Sequence, residues 1–134
     1  MEFISECRSA ESLYIYGAGA VADMFYIYLK QIGLKEKVNG FVVTKLGGNV
    51  SEKFGLEVME LASRLEELRK ALVIVAVQEG VQEEICRILS VNGISGYCCV
   101  DSGELLDDFY EELYREPVDG YKVLFQNQSG KGYG

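Results

Sequence analysis

The residues best suited to hold an anion form one short run, Gly17-Ala18-Gly19-Ala20-Val21-Ala22. It fits the pattern G-x-G-x-x-A, follows an apolar segment and precedes a helical pattern. The first glycine permits a tight turn, the second lets the backbone approach a phosphate, and the small last residue lets the helix pack on a sheet. Free amides and the helix dipole then favour an anion. The run predicts a phosphate-binding turn at Gly17, Ala18, Gly19 and Ala20, and a turn kept only for packing is the alternative.

Two polar pairs are predicted at the same edge of a sheet. Thr44 and Lys45 follow the second predicted strand, where a nucleotide-binding fold usually has an acidic residue for the ribose. Lys45 suits the extra phosphate of NADP or the pyrophosphate of a nucleotide-sugar, and a solvated loop lysine is the alternative. Gln78 and Glu79 follow the central predicted strand and suit contacts to ribose or sugar hydroxyls, with ordinary helix-start residues as the alternative.

The composition argues against catalysis by this chain alone. Histidine, the commonest general base, does not occur in the sequence. The four cysteines, Cys7, Cys86, Cys98 and Cys99, lack C-x-x-C spacing. We therefore predict no catalytic residue and no metal site, and we predict reduced, mostly buried cysteines in a cytoplasmic protein.

The charge balance restricts the partners. Acidic residues number 21 against 13 basic ones, for a formal net charge of −8. Nucleic-acid binding draws on Lys and Arg to neutralise phosphates, so nucleic acid is not an expected partner. No apolar run approaches the roughly 20 residues that span a bilayer, and the first residues do not resemble a signal peptide. The sequence leaves the oligomeric state open.

Strand and helix patterns alternate along the chain. Strands are predicted at 13–16, 38–43, 71–77 and 97–100, with a very short one at 55–58. Helices are predicted at 2–10, 20–32, from Val58 through Leu68, after Gln78 and after Asp101; the inner face of the last comprises Leu105, Leu106, Phe109, Tyr110 and Leu113. This alternation predicts an α/β, Rossmann-like three-layer sandwich with a parallel sheet of about five strands, in the order 3-2-1-4-5.

The character of the chain changes after Glu116-Pro117. A strand-like run at 121–125 is followed by a polar, glycine-rich segment at 126–134. We therefore expect a nucleotide-binding-type domain over residues 1–116. Residues 117–134 are expected to form a linker and the truncated start of a following domain.

Residues 13–100 resemble a known kind of domain through Tyr16-Gly17-Ala18-Gly19, Asn39-Gly40-Phe41-Val42-Val43, Gly55-Leu56-Glu57-Val58 and Val73-Ile74-Val75-Ala76-Val77. They are similar to the N-terminal domain of bacterial sugar acetyltransferases, which binds the UDP-sugar. The resemblance implies that Gly17 and Gly19 approach the phosphate of the ligand.

Residues 121–134 resemble the opening of the CDP-glycerol glycerophosphotransferase domain, through Tyr121-Lys122-Val123-Leu124-Phe125 and Ser129-Gly130-Lys131-Gly132-Tyr133-Gly134. That family makes teichoic-acid-type cell-surface polymers at the cytoplasmic face of the membrane. The resemblance implies a parent transferase with a C-terminal catalytic domain as partner, and it carries over no catalytic residue.

The expected function is a non-catalytic module that binds a nucleotide or nucleotide-sugar, or docks that catalytic domain, in a cell-surface polymer (teichoic acid or polysaccharide) enzyme. A nucleotide-sugar, a CDP-linked ligand and NAD(P) are the candidate ligands. One alternative is a small NAD(P)-binding oxidoreductase-type or sugar-nucleotide-modifying protein. The other is a structural interaction domain without a ligand.

Overall fold

The computed structural model describes residues 1–115, which form one sheet covered by helices on both faces. The helices are α1 (Ile4–Ser9), α2 (Ala20–Gln31), α3 (Leu65–Arg69), α4 (Glu79–Val91) and α5 (Ser102–Leu113). Short 3₁₀ turns occupy Lys35–Lys37 and Leu61–Ser63. The strands are β1 (Leu13–Tyr16), β2 (Val38–Val43), β3 (Glu52–Lys53), β4 (Leu56–Glu60), β5 (Leu72–Val75) and β6 (Tyr97–Cys99).

The sheet has the order β3-β4-β2-β1-β5-β6. β1 lies between β2 and β5 and runs parallel to both, while β4 and β6 extend the parallel sheet on either side. Without the two-residue β3, this is the predicted order 3-2-1-4-5, so the predicted fold class is confirmed. The carboxyl ends of β1 and β5 meet where the strand order reverses, which is the place where such sheets bind ligands.

Alternation along the strands divides the core into two layers. Leu13 and Ile15 of β1 pack with the helices α1, α2 and α5. Tyr14 and Tyr16 of the same strand face the opposite way and pack with α3 and α4. This period-2 alternation lets one strand pack against both helical layers.

The region between β2 and β5 differs from the prediction in two respects. The predicted loop at 44–54 contains β3, which pairs with β4 as an antiparallel hairpin. The predicted helix from Val58 is also wrong, because Val58 lies in β4 opposite Phe41 of β2 and is fully packed. Its apolar spacing fits a helix, but Val58 pairs with β2 as a strand residue, Leu61 lies in a 3₁₀ turn, and α3 starts only at Leu65.

Two burial predictions are also wrong. On α5 only Leu105 of the predicted inner face is buried, whereas Leu106, Tyr110 and Leu113 are 40%, 46% and 52% exposed, because the helix packs on α2 along a narrower face. Of the cysteines only Cys7 is buried.

The predicted domain boundary and the segment 117–134 lie outside the described residues. No helix within residues 1–115 has the length and apolarity to cross a membrane.

Candidate functional site

Gly17 serves the packing of the chain itself. It has a φ of +129°, and a Cβ at this position would lie 2.6 Å from the carbonyl oxygen of Ala76. Its amide donates to the carbonyl of Val42 at 2.8 Å. The glycine therefore lets the chain turn out of β1 between β2 and the end of β5, and any side chain here would collide with backbone.

Gly19 differs from Gly17, because nothing in the described chain requires it to lack a side chain. Its φ of −101° is open to any residue, and a Cβ would meet no atom within 4 Å. Gly19 is the N-cap residue of α2, and no side chain caps that helix. The first helical hydrogen bond comes from the amide of Asp23 to the carbonyl of Gly19, at 3.0 Å. The amides before Asp23 therefore have no intrahelical acceptor and point out of the helix end.

A second uncapped helix begins on the other side of the same edge. Gln78 is the N-cap residue of α4, and it makes no side-chain cap either. Gly80 in the first turn has open space around it and an ordinary φ. By contrast, Asp101 caps α5 by accepting a hydrogen bond from the amide of Glu104 at 2.9 Å, as predicted from the sequence. Two helices of twelve and thirteen residues therefore present free amides where β1 and β5 end.

A crevice of about 270 Å³ lies between these helix starts. It is lined by Gly19, Ala20, Val21, Ala76, Val77, Gln78 and Val81. No lining residue carries a titratable side chain. The polar groups available to a ligand are therefore backbone amides and the Gln78 amide, which suit an anion through dipoles rather than through a cation.

An apolar groove of about 310 Å³ adjoins the crevice on the α5 side. The two share Ala20 and Val21, and the groove adds Met24 of α2 and Leu105 and Leu106 of α5, with Ser102 and Gly103 at its end. Small-molecule sites typically occupy roughly 300–1,000 Å³ and combine apolar walls with a few polar groups. The crevice and the groove together match that description.

Gln82 fixes the position of α4 beside the crevice. Its side-chain amide donates to the carbonyl of Val77 at 3.1 Å and to the carbonyl of Val100 at 2.5 Å. These carbonyls follow β5 and β6, so one side chain joins the second turn of α4 to two strand ends. The sequence reasoning missed this residue, and its only signal was a glutamine one turn after a predicted helix start.

The end of β2 lies at the same edge of the sheet, outside the lining of the crevice. The hydroxyl groups of Thr44 and Tyr16 share a hydrogen bond, which ties the loop after β2 to the end of β1. Burial is the main cause that raises the pKa of Tyr16. The acidic residue that β2 lacks is present on the neighbouring strand: Glu60 ends β4 opposite Val43 and accepts the Leu46 amide at 2.8 Å. Only the strand pairing reveals this carboxylate.

The structure brings some of the predicted site residues together. Gly19, Ala20 and Gln78 line one crevice, and Gly17 and Ala18 form the turn that leads to it. Thr44, Lys45 and Glu79 lie at the same edge but not in that lining. Lys45 is exposed, and a carboxylate oxygen of Glu79 accepts from the Ser102 hydroxyl at 3.4 Å. Whether these residues contact a ligand stays a prediction.

No protein-family model and no curated protein matches the sequence. Among solved structures, the chain is similar to RSP, described as a Rex-family repressor, with a TM-score of 0.55 and 12% sequence identity. The similarity covers 92% of this chain and 66% of that one, so the chain spans a little under two thirds of that protein. At this identity the similarity shows the fold alone, a Rossmann-like α/β domain.

The family resemblances drawn from the sequence are therefore wrong. No family model supports a glycerophosphotransferase or a sugar acetyltransferase, and the similar structure is described as a repressor. The motifs quoted for residues 13–100 are strand and turn patterns that many parallel sheets share. The second resemblance covered only fourteen residues, all of them outside the described part.

Proposed function

We propose that this domain binds the phosphate groups of a nucleotide-type ligand, either a dinucleotide or a nucleotide-sugar, in the crevice between α2 and α4. The observation that carries the proposal is Gly19, which has an ordinary φ and open space and yet stands at the uncapped start of α2. A ligand phosphate at this helix end accounts for both features, because it needs close backbone approach and would satisfy the free amides.

The second helix start supports the same assignment. α4 begins without a side-chain cap and has Gly80 in its first turn, although glycine is a poorer helix former than alanine. Within the described chain, no steric contact compensates for that cost. A ligand lying against both helix starts would explain why neither has a side-chain cap.

The character of the site supports binding without turnover by this chain. Within residues 1–115, the groups with shifted pKa values do not line the crevice; they are Met1, Cys7, Tyr14, Tyr16, Tyr28, Arg64, Cys98 and Cys99. Sites of acid–base chemistry usually place such groups around the substrate. We therefore propose a ligand-binding module, and the cytoplasm remains the compartment that we propose.

The adjoining groove suggests how the ligand extends. With the phosphates at Gly19, a ring attached to one of them would reach the apolar groove between Met24 and Leu106. Toward β2, the ribose side would meet Thr44 and Lys45, and Lys45 would favour a ligand with an additional phosphate. RSP is described as a repressor, and a regulatory role for this chain would first require that the crevice binds a ligand.

The direct test is calorimetric titration of the purified chain with NADH, NADPH, UDP-glucose and CDP-glycerol. We expect saturable heat with at least one of them. In Gly19→Val the affinity should fall at least tenfold, because the side chain fills the place where the phosphate approaches. Its free energy of unfolding should fall by only about 1 kcal/mol, since valine is a poorer N-cap residue than glycine but meets no internal contact there.

Gly48→Val is the matched control. Gly48 also has an ordinary φ and open space, but it lies on the loop after β2 rather than in the crevice. This variant should bind like the parent protein. Absence of heat with all four nucleotides, or equal affinity in Gly19→Val, would reject the proposed site and favour a domain whose glycines serve packing alone.

A further inference from the structure

Two thiols lie close together between α4 and the sheet. The sulfur atoms of Cys86 on α4 and Cys99 at the end of β6 are 3.1 Å apart. Cys86 is half-buried and Cys99 is exposed, so small reagents can reach the pair. A disulfide requires a sulfur–sulfur distance of about 2.05 Å, so the atoms need to approach by only about 1 Å.

We propose that Cys86 and Cys99 form a modification site: a dithiol that a low-molecular-weight disulfide converts to a reversible intramolecular disulfide. This proposal does not depend on the proposed function, because neither cysteine lines the crevice between α2 and α4.

The other two cysteines are excluded by their positions. Cys98 is adjacent in sequence but faces the opposite side of β6, where its thiol donates to a carboxylate oxygen of Glu6 at 3.2 Å. Cys7 is fully buried in the core under α1. No third cysteine or acidic residue of the described chain joins Cys86 and Cys99 into a metal-binding cluster. The chemistry that the pair supports by itself is thiol–disulfide exchange.

The exchange proceeds in two steps. One thiol of the pair loses its proton, attacks glutathione disulfide, forms a mixed disulfide and expels one glutathione thiolate. The other thiol then loses its proton and attacks the protein sulfur of the mixed disulfide, which expels the second glutathione. One disulfide is reduced to two thiols, and the protein loses two hydrogen atoms.

The bridge would fasten α4 to the end of β6. Gln82, one turn before Cys86, already joins that helix to the carbonyls of Val77 and Val100. Oxidation would add a covalent link to this polar contact. Any effect on nucleotide affinity rests on the proposed function, whereas formation of the bridge does not.

The test exposes the reduced 134-residue chain to glutathione disulfide and follows free thiols and intact mass. We expect two of the four thiols to disappear, a mass loss of two hydrogen atoms, no retained glutathione, and full reversal by dithiothreitol. Arg87 separates the two cysteines, so trypsin should release two peptides joined by the new bridge. Retained glutathione on the parent protein, or a bridge involving Cys7, would overturn the proposal.

Serine variants identify the partners. Cys99→Ser should retain glutathione on Cys86, and Cys86→Ser should retain it on Cys99, because each variant lacks the thiol that resolves the mixed disulfide. Cys98→Ser is the matched control and should form the bridge like the parent protein, which also assigns the bridge within the tryptic peptide that holds both neighbours. Loss of the bridge in Cys98→Ser would overturn the proposal. Peptide mapping of the parent protein tests the pairing even if a variant fails to fold.

Discussion

At the scale of single residues, Gly17 and Gly19 of the turn after β1 have different roles. Gly17 has a positive φ and backbone within 2.6 Å of any added Cβ, whereas Gly19 has neither constraint. The pattern G-x-G-x-x-A predicts a tight turn at the first and phosphate approach at the second. The tertiary structure gives the first a packing role and shows open space at the second. This difference makes the role of the turn testable by single substitutions.

We expect Gly17→Ala to lower the free energy of unfolding by about 3 kcal/mol, because it adds a clash with the Ala76 carbonyl to an unfavourable φ. Gly33→Ala is the control: its φ is +79° but its surroundings are open, so the expected loss is about 1 kcal/mol. Urea denaturation measures both values. Equal losses in the two variants would show that contact with Ala76 contributes nothing.

Cys7 should make stability depend on alkaline pH. Burial, and then the charge of Glu6, raises the pKa of this thiol from 9.0 to about 11. The folded protein therefore keeps the proton that the unfolded chain loses. The contribution of the neutral thiol is complete below pH 9.0 and is lost as the pH rises toward 11, by up to about 2–3 kcal/mol.

Urea denaturation across that pH range is the measurement. Cys7→Ala removes the titrating group, so its free energy of unfolding should decline less steeply than that of the parent protein. Tyr14, Tyr16, Cys98 and Cys99 also have raised pKa values and should leave a residual decline. Parallel curves for the parent protein and Cys7→Ala would contradict the assignment.

At the scale of elements, the helix starts at the carboxyl edge are of two kinds. α5 has a conventional cap, in which Asp101 accepts the Glu104 amide. α2 and α4 begin without side-chain caps and border the crevice. Side-chain caps stabilise helices, so bare helix starts leave amides for another acceptor.

Alanine at the two N-cap positions should separate stability from binding. Asp101→Ala should cost about 1 kcal/mol in the free energy of unfolding, because a cap is lost, and should leave nucleotide affinity unchanged. Gln78→Ala should cost a few tenths of a kcal/mol at most and should weaken nucleotide binding. Thermal unfolding and calorimetry measure the two effects. A large loss of stability in Gln78→Ala would show a structural role for that side chain.

At the scale of the whole molecule, the domain combines a Rossmann-like sheet with a net charge of −8. Several basic side chains are already paired with acids, such as Lys53 with Asp23 at 2.8 Å and Arg64 with Glu57 at 2.7 Å. Helix dipoles can hold a small anion locally against this background, but an extended polyanion would meet the acidic surface. The similarity to a repressor is thus a guide to the fold of this chain and not to its own contacts.

We expect this chain to leave the mobility of duplex DNA unchanged in a gel-shift experiment at low salt, where phosphate contacts are strongest. The physical reason is the excess of acidic residues, 21 against 13 basic ones. A shift that weakens steeply with added salt would contradict this expectation and would indicate a basic surface formed by an assembly of the chain.

The sequence by itself determined the layers of the fold, and it predicted the edge of the sheet at which the candidate site lies. Alternating apolar segments and the glycine turn predicted the order of the five main strands, because buried parallel strands and amphipathic helices follow distinct periods. The stretch around Val58 was predicted wrongly, because its apolar spacing fits both a helix and a strand. Only pairing with Phe41 of β2 made it a strand. Short sequence likeness also suggested families that the comparisons did not support.

Only the tertiary structure decided which side chains meet. The hydrogen bond from Gln82 to Val100, the hydrogen bond of Glu60 with Leu46 and the pairing of Cys86 with Cys99 join residues 18, 14 and 13 positions apart in sequence. The open space at Gly19 likewise depends on what surrounds that turn. Local periodicity in the sequence predicts whether a segment is a helix or a strand, whereas these contacts depend on how the elements are placed over the sheet. The exposed side of α5 has the same origin, because burial depends on what another element covers.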